Sequence, residues 1–359
     1  MRTSIARFFT RDPGDVSGLA EAIGRGEIHP HAIVAIIGKT EGNGGINDFT
    51  RNLAVLALSH LLAPFLDCQP DAVEDRVVLS FSGGSEGVTA PHLLVFSVTN
   101  DNTEKPLSGK RLALATGYTR TFGAQEVGRM AMVQETARVV SLLMRQLQVE
   151  AQDVHLVQIK GAIPLPERCS DRDSLRCDMS WSRGASALGV ALALGEVTEA
   201  QLSDAVINKD WSLYSSRASV SAKPMLSRSE LIVFANSQRW AGDLMIAHGV
   251  MQDIIDIPGI YRVLQGLGLH PKEGQLSVAD AASIVAVFAK SDADLSGYIR
   301  QRRHTMWTDA DISDMRYSRC VVAAQLGGIT GETGVYVSTR AEHQGPRGGG
   351  PVAIIGKVP

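Results

Sequence analysis

Short apolar runs that end in a lysine occur three times along the chain. AIVAIIGK ends at Lys39, VHLVQIK at Lys160 and SIVAVFAK at Lys290. Runs of this length, rich in β-branched residues, are typical of buried strands. Each is followed by a second predicted strand that ends in a serine; the three serines are Ser82, Ser215 and Ser338. Repetition in a fixed order predicts three structurally similar thirds.

Helical patterns fill the gaps between these strands. The segment 184–196 (GASALGVALALGE) is apolar almost all round, which predicts a buried helix. Asn47 or Asp48 could cap a helix that contains Phe49, and 318–326 resembles a third helix of the same type. Strands and helices in this arrangement predict an α/β fold built of α+β layers. We place the three domains at 1–103, 111–250 and 255–359.

Composition narrows the functional classes. Of the 359 residues, 44% are hydrophobic and 20% are charged, and the formal net charge is −3. This profile is that of a soluble protein and offers no broad attraction for nucleic acid or for an anionic membrane. The four cysteines have no paired spacing, so free thiols in a reducing compartment are expected. No apolar run approaches a signal peptide or a membrane span, and we expect a cytoplasmic protein.

The repeated polar residues point to acyl-transfer chemistry. A serine is a nucleophile only when a neighbouring base takes its proton, and a lysine whose pKa is lowered by burial and nearby positive charge can serve. An arginine stays protonated, but its forked donors suit planar, carbonyl-rich ligands. One arginine lies between the lysine and the serine of each third; the three are Arg51, Arg183 and Arg319. We interpret the three sets as one shared site. The alternative is a repeated sequence with no common site.

Several long strings resemble one known family, the ring-opening amidohydrolases, whose members act on cyanuric acid or barbiturate. The most specific strings are GKTEGNGGINDFTR (38–51), SGGSEGVTAPH (82–92), SRGASALGVALALGE (182–196), YSSRAS (214–219), IAHGVM (246–251), RRHTMWTDADI (302–312) and AEHQGPRGGGP (341–351). The resemblance runs nearly end to end. It implies three similar domains around a pseudo-threefold axis, with the active site at their junction and one Ser–Lys pair in each domain.

The resemblance also implies residue roles. Lys160 would be the general base and Ser215 the nucleophile, with Lys39 and Lys290 as supporting groups. The residues implied to bind the substrate are Arg51, Ser82, Gly83, Arg183, Ser216, Arg319, Ser338 and Thr339. The implied reaction is hydrolytic opening of a small cyclic imide, cyanuric acid first and barbiturate second. A non-catalytic homologue that binds a small polar ring or a metal is the alternative. No organic cofactor is expected, and the implied assembly is a homotetramer.

A structural cation near the carboxyl terminus is a further implication of the resemblance. Its ligands would be Asp292, Ala341, Gln344, Gly345, Pro346 and Gly349. Ligation by oxygen alone suits Mg²⁺ or Ca²⁺. A turn without a metal is the alternative. Two departures from the family pattern stand out: the segment that follows Lys160, and a third serine turn that reads Ser-Thr-Arg where Ser-Gly-Gly is expected.

Overall fold

The computed structural model describes residues 1–100, 109–165 and 175–358 of the chain. The predicted end of the first domain at 103 and the final residue of the third lie outside these ranges. Much of the divergent segment after Lys160 does so as well.

Residues 1–100 form one four-stranded sheet with two α-helices. The strands are β1 (Arg2–Phe9), β2 (Ile33–Thr40), β3 (Val78–Gly83) and β4 (His92–Thr99), and the helices are α1 (Ser17–Gly24) and α2 (Thr50–Leu66). The strand order is β1-β4-β2-β3. The lysine strand β2 pairs antiparallel with β4 and parallel with β3, which carries the serine.

The rest of the described chain repeats this unit twice. The second unit comprises β5 (Arg111–Tyr118), α3 (Met130–Leu147), β6 (Val154–Ile163), α4 (Met179–Ala193), β7 (Ala218–Pro224) and β8 (Glu230–Ser237). The third comprises β9 (Leu244–Met251), α5 (Ile257–Gly266), α6 (Val278–Ala281), β10 (Ile284–Ser291), the hairpin β11 (Tyr298–Ile299) and β12 (Arg302–Arg303), α7 (Asp314–Thr330), β13 (Tyr336–Thr339) and β14 (Gly350–Lys357). Short 3₁₀ helices occupy Pro30–Ala32, Pro70–Asp75, Ala124–Glu126, Ala151–Asp153 and Glu199–Gln201.

The three sheets share one pairing pattern and one central core. Their orders, β1-β4-β2-β3, β5-β8-β6-β7 and β9-β14-β10-β13, correspond strand by strand. The inner faces meet in a cluster that includes Phe96, Phe234 and Phe288, whose successive ring centroids lie 5.3 and 6.0 Å apart. The outer faces bury their apolar side chains against the helices. The predicted fold class, similar α/β layers repeated around a junction, is therefore confirmed.

The helices differ in how closely they follow the sequence patterns. The predicted buried helix is α4, which starts at a cap where the Asp178 side chain accepts from the Trp181 amide. Helix α2 begins after Phe49, and the Asp48 carboxylate accepts from the Thr50 amide at 3.1 Å. Phe49 itself is exposed, since α2 packs through a different face that includes Leu58.

One strand lies outside its predicted domain. Strand β9, which falls almost wholly within the predicted second domain at 111–250, pairs along its full length with β14 in the third sheet. The boundary set by sheet pairing therefore lies between Ser237 and Leu244. The predicted boundary at 250–255 was based on local composition. Local composition does not show that β9 pairs with a strand about a hundred residues further along the chain.

No α-helix in the described ranges is long and apolar enough to cross a lipid bilayer.

Candidate active site

Each sheet carries one lysine–serine pair on two neighbouring parallel strands. Strand register places Lys39 beside Ser82, Lys160 beside Ser221 and Lys290 beside Ser338. The corresponding Nζ–Oγ distances are 3.4, 2.7 and 3.2 Å. Directly paired residues project to the same face of a sheet, so the strand register itself brings the amine to the hydroxyl.

The partner of Lys160 is Ser221, which corrects the predicted pairing with Ser215. Ser221 lies on β7 directly beside Lys160, whereas Ser215 precedes that strand. The first residue of β7, Ala218, is already about 10 Å from Ser221 at the rise of an extended strand. Ser215 is fully buried, and its Oγ accepts from the amides of Arg217 and Ala218 at 3.1 Å. These contacts give Ser215 a structural role.

Ser216, predicted to bind the substrate, also lies away from the lysine. Its hydroxyl and its amide both donate to the Glu196 carboxylate. The neighbouring Ser215 exchanges backbone hydrogen bonds with His343 and Gly345 of the third domain. The YSSRAS string thus docks one domain on another.

The lysines also connect the three domains in a cycle. Lys39 Nζ donates to the Val337 carbonyl of the third domain at 2.6 Å, and Lys290 Nζ donates to the Val220 carbonyl of the second at 2.9 Å. Lys160 Nζ donates to the Phe81 carbonyl of the first domain. Three equivalent contacts in rotation are what a pseudo-threefold arrangement requires.

One cavity of about 410 Å³ lies where the three serines meet. Ser221 is joined in its lining by eight predicted site residues: Arg51, Ser82, Gly83, Lys160, Arg183, Arg319, Ser338 and Thr339. Of the three paired lysines, Lys160 lines the cavity, whereas Lys39 and Lys290 stand behind their serines. The structure thus brings together most of the predicted set and singles out the second pair.

The three lysines share an environment that favours their neutral form. Each is buried, and burial lowers the pKa of Lys39 and Lys160 well below the ordinary value and that of Lys290 to about 7. A nearby arginine adds to this effect at each site: Arg319 at Lys39, Arg51 at Lys160 and Arg183 at Lys290. A neutral lysine can accept a proton from a serine hydroxyl.

Two of the three arginines are held by carboxylates from another domain. Arg183 forms two hydrogen bonds of 2.7 Å to Glu342, and Arg319 forms two of 2.6 Å to Glu86. Such bidentate pairs fix the plane of the guanidinium group. Neither ion pair was predicted from the sequence, because the two members of each pair lie in different domains.

Arg51 is held differently. Its Nε donates to the Asp48 carbonyl at 3.3 Å and its NH2 to the Gly45 carbonyl at 2.5 Å. Burial lowers the pKa of Arg51 from its ordinary value. Asp48 lies nearby, but its carboxylate accepts hydrogen bonds from Gly44 and Thr50.

The first serine turn depends on glycine for a close approach. A Cβ on Gly83 would lie 1.7 Å from the Asp48 carboxylate, and one on Gly84 would lie 2.6 Å from the Arg319 guanidinium. Gly84 also has a φ of +93°, in the left-handed region that favours glycine. The turn therefore brings the backbone against the side chains of Asp48 and Arg319, of which Arg319 lines the cavity.

The third serine turn reaches a similar shape with larger residues. Arg340 adopts a φ of +64° and lines the cavity. Its guanidinium pairs with Asp314 at 2.8 Å and lies over the Trp307 ring, 5.1 Å from the centroid. Thr339 Oγ1 accepts from Arg319 at 3.1 Å. The predicted departure at this turn thus builds a bulkier cavity wall.

Two buried polar residues beside the pairs were missed in the sequence. Tyr336, on β13, lies under the serines, and its hydroxyl accepts from Gln158 at 3.2 Å. Burial raises the pKa of Tyr336 to about 12. Glu230 faces Lys160 from β8 in strand register, and burial raises its pKa to about 7. Tyr336 lies inside an apolar run and Glu230 directly precedes one, so the sequence gives little sign that either residue is a buried polar group of the site.

The predicted cation loop offers oxygen atoms of the right chemical kind. Burial raises the pKa of Asp292 to about 7, and the charge of Glu342 adds to this. The carbonyls of Ala341 and Pro346 each accept a single loop hydrogen bond, although Gln344 Oε1 already accepts from the Val220 amide. Among the described residues, no group of three or more His, Cys, Asp or Glu side chains could hold a metal. A carboxylate with carbonyl oxygens fits a hard cation.

Comparison with known proteins defines the class to which this fold and cavity belong. Residues 4–357 match the model of the family described as amidohydrolase ring-opening protein. The chain therefore belongs to the ring-opening amidohydrolases, and the predicted family and enzyme class, a hydrolase of cyclic amides, are confirmed.

Individual relatives are similar over their full length. The cyanuric acid amidohydrolase of Enterobacter cloacae is 44% identical over 371 residues, which is 100% of both chains. A cyclic amide hydrolase of Azorhizobium caulinodans is 40% identical over 99% of each chain. A solved cyanuric acid hydrolase, described as a product of structural concatenation, superimposes with a TM-score of 0.90 at 40% identity and 99% coverage of both chains. The A. caulinodans cyanuric acid hydrolase structure gives 0.87 at 42% identity, again with 99% coverage of both.

Proposed function

We propose that the protein hydrolyses cyanuric acid, with Ser221 as nucleophile and Lys160 as general base. The observation that carries the proposal is the 2.7 Å contact between Lys160 Nζ and Ser221 Oγ at a cavity lined by all three arginines. Full-length similarity to cyanuric acid amidohydrolases supports the choice of substrate.

The first chemical step forms a bond between Ser221 Oγ and a ring carbonyl carbon. Lys160 Nζ takes the hydroxyl proton, and the carbonyl oxygen becomes an oxyanion. When the tetrahedral species collapses, the C–N bond to the adjacent ring nitrogen breaks and Lys160 returns the proton to that nitrogen. The ring is then open and remains attached to Ser221 as a carbamate ester.

The second step restores the enzyme. Water attacks the ester carbon as Lys160 accepts its proton, and the proton then goes to Ser221 Oγ as the C–O bond breaks. The net reaction adds one water to cyanuric acid and gives carboxybiuret. Loss of CO₂ from carboxybiuret leaves biuret.

The arginines suit the three carbonyl oxygens of such a ring. Arg183 and Arg319 each use Nε and NH2 on a carboxylate. The third guanidinium nitrogen, NH1, lies outside that pair in both, and in Arg319 it donates to Thr339 Oγ1 at 3.1 Å. Ser82 and Ser338 add hydroxyl groups at the same cavity. A planar ring with alternating carbonyl and N–H groups matches a cavity with a set of donors from each domain.

The purified protein is expected to open the cyanuric acid ring and to release biuret and CO₂. We would measure loss of ring absorbance and CO₂ release with cyanuric acid, N-methyl cyanuric acid and barbituric acid in parallel. Turnover of barbituric acid alone would change the proposed substrate and leave the proposed mechanism unchanged. Stoichiometric binding without product from any ring would instead support the non-catalytic homologue.

A different cyclic amide is the second candidate, favoured by the bulk of the third serine turn. Thr339 and Arg340 both line the cavity where the family pattern has glycine. One full-length relative carries the broader name cyclic amide hydrolase. If the added bulk selects against cyanuric acid, the substitution pair Thr339→Gly and Arg340→Gly should raise its kcat/KM.

We also propose a structural Mg²⁺ or Ca²⁺ held by Asp292 with carbonyl oxygens of the 341–349 loop. Removing divalent ions with EDTA is then expected to lower Tm by a few degrees, because a cation bound only to the folded state adds stability. Adding either ion back should restore Tm. Asp292→Asn should abolish the response, and an unchanged Tm in the parent protein would contradict the site.

The homotetramer and the cytoplasmic location stay predictions. Size-exclusion chromatography with light scattering measures the molar mass of the assembly and so tests the homotetramer directly.

A further inference from the structure

The residue four positions after each paired serine follows a pattern that one domain breaks. It is Glu86 after Ser82 and Glu342 after Ser338. After Ser221 it is Met225.

The two glutamates take part in a cycle between domains. Glu86 of the first domain binds Arg319 of the third, and Glu342 of the third binds Arg183 of the second. Continuing the rotation, position 225 of the second domain would serve Arg51 of the first. The missing member of the cycle is therefore an acidic partner for Arg51.

The structure places Met225 beside Arg51. Both line a small recess next to the main cavity, together with Lys160 and Lys223. Within the described ranges, no ion pair is formed by Arg51, whose hydrogen bonds go to carbonyl groups. Met225 is 73% exposed, so its side chain is replaceable without opening the core.

The missing carboxylate changes the charge balance at one lysine. At Lys39 and Lys290 the adjacent arginine is offset by the glutamate that binds it, Glu86 or Glu342. At Lys160, Arg51 has no such glutamate. The charge of Asp48 acts on Arg51, but within the described ranges the two form no ion pair, and the other cations in range of Lys160 are Lys223 and Lys290.

The acidic group that does face Lys160 is a weak counter-charge. Glu230 is buried, and its pKa is raised to about 7 by burial. Lys223, Arg228 and Glu74 also act on it, and Lys223 forms an ion pair of 2.6 Å with Glu74. Tyr118, on the neighbouring strand β5, lies opposite Glu230 in the strand register.

We propose that Met225 sets how readily Lys160 accepts the Ser221 proton, because Arg51 thereby lacks the glutamate partner that Arg183 and Arg319 have. Burial and electrostatic repulsion from Arg51 together favour the neutral form of Lys160, which can accept the Ser221 proton. Met225 is thus a positioning residue that acts through Arg51 and does not contact the reacting atoms. The inference rests on the proposed function of the Lys160–Ser221 pair.

The test is the pH profile of kcat/KM for three variants at one site. Met225→Glu supplies the missing carboxylate and is expected to move the acidic limb up by about one pH unit, which lowers kcat/KM about tenfold below that limb. Met225→Gln has the same shape without charge and should leave the limb in place. Met225→Lys adds a cation and should move the limb in the opposite direction.

Opposite shifts for the glutamate and lysine variants support the proposal. Coincident limbs in all three variants, or shifts of the same sign, would overturn it. All four proteins receive the same substrate, so its own ionisation cancels in the comparison. Turnover by the parent protein and its loss in Ser221→Ala test the proposed function separately, and neither depends on position 225.

Discussion

Replacing Ser221 with alanine is expected to lower kcat/KM for cyanuric acid at least about a thousandfold. The substitution removes the hydroxyl that lies 2.7 Å from Nζ of Lys160, the paired lysine that lines the cavity. Binding should persist, since the three arginines proposed to contact the ring carbonyls are unchanged. The measurement is steady-state turnover together with calorimetric binding of the ring.

Three matched alanine variants locate the reacting pair. Ser82→Ala and Ser338→Ala each remove a hydroxyl from the same cavity, and we expect losses of about tenfold, the value of one hydrogen bond. Ser215→Ala should leave kcat/KM of the folded enzyme unchanged and lower its stability by about 1 kcal/mol, because two backbone amides lose their acceptor. If Ser215→Ala were the inactive variant and Ser221→Ala active, the dyad would be reassigned.

The choice between Ser215 and Ser221 shows where sequence reasoning ends. A lysine at the end of an apolar strand was recognisable in all three domains, and so were the arginines between the strands. The serine depends on strand register, which a short string does not specify. Lys160 and Ser221 are 61 residues apart, against 43 and 48 in the sister pairs. Because the true separation in the second domain is longer, Ser215 in the YSSRAS string fitted the spacing of the other two pairs better than Ser221 did.

Contacts between domains were the least predictable part of the site. Repetition was sufficient to predict three similar units and a shared junction. It was not sufficient to predict that Glu342 of one unit binds Arg183 of another, because their separation of 159 residues has no counterpart in local pattern. The domain of strand β9 was mispredicted for the same reason, since its partner β14 lies about a hundred residues further along the chain. Local propensity specifies elements, whereas packing between units specifies their partners.

Replacing Glu342 with glutamine is expected to destabilise the protein by about 3–5 kcal/mol. The change keeps the side-chain shape but leaves the Arg183 guanidinium charged, buried and without its counter-ion. Burial acts to raise the pKa of Glu342, but the charge and hydrogen bonds of Arg183 outweigh it and hold the pKa below its ordinary value. The stabilisation is therefore present above the ordinary glutamate pKa and is lost as pH falls through the lower, folded-state value.

The matched control is Glu126→Gln, which alters an ion pair on the surface that also consists of two hydrogen bonds. Arg120 forms two hydrogen bonds of 3.0 and 2.6 Å to Glu126, and its side chain is 48% exposed. Solvent screens this pair, so its loss should change the free energy of unfolding by less than about 1 kcal/mol. Urea midpoints at neutral pH compare the two variants directly. Equal midpoints would contradict the prediction, since they would mean that solvent screens the Arg183–Glu342 pair as fully as it screens the surface pair.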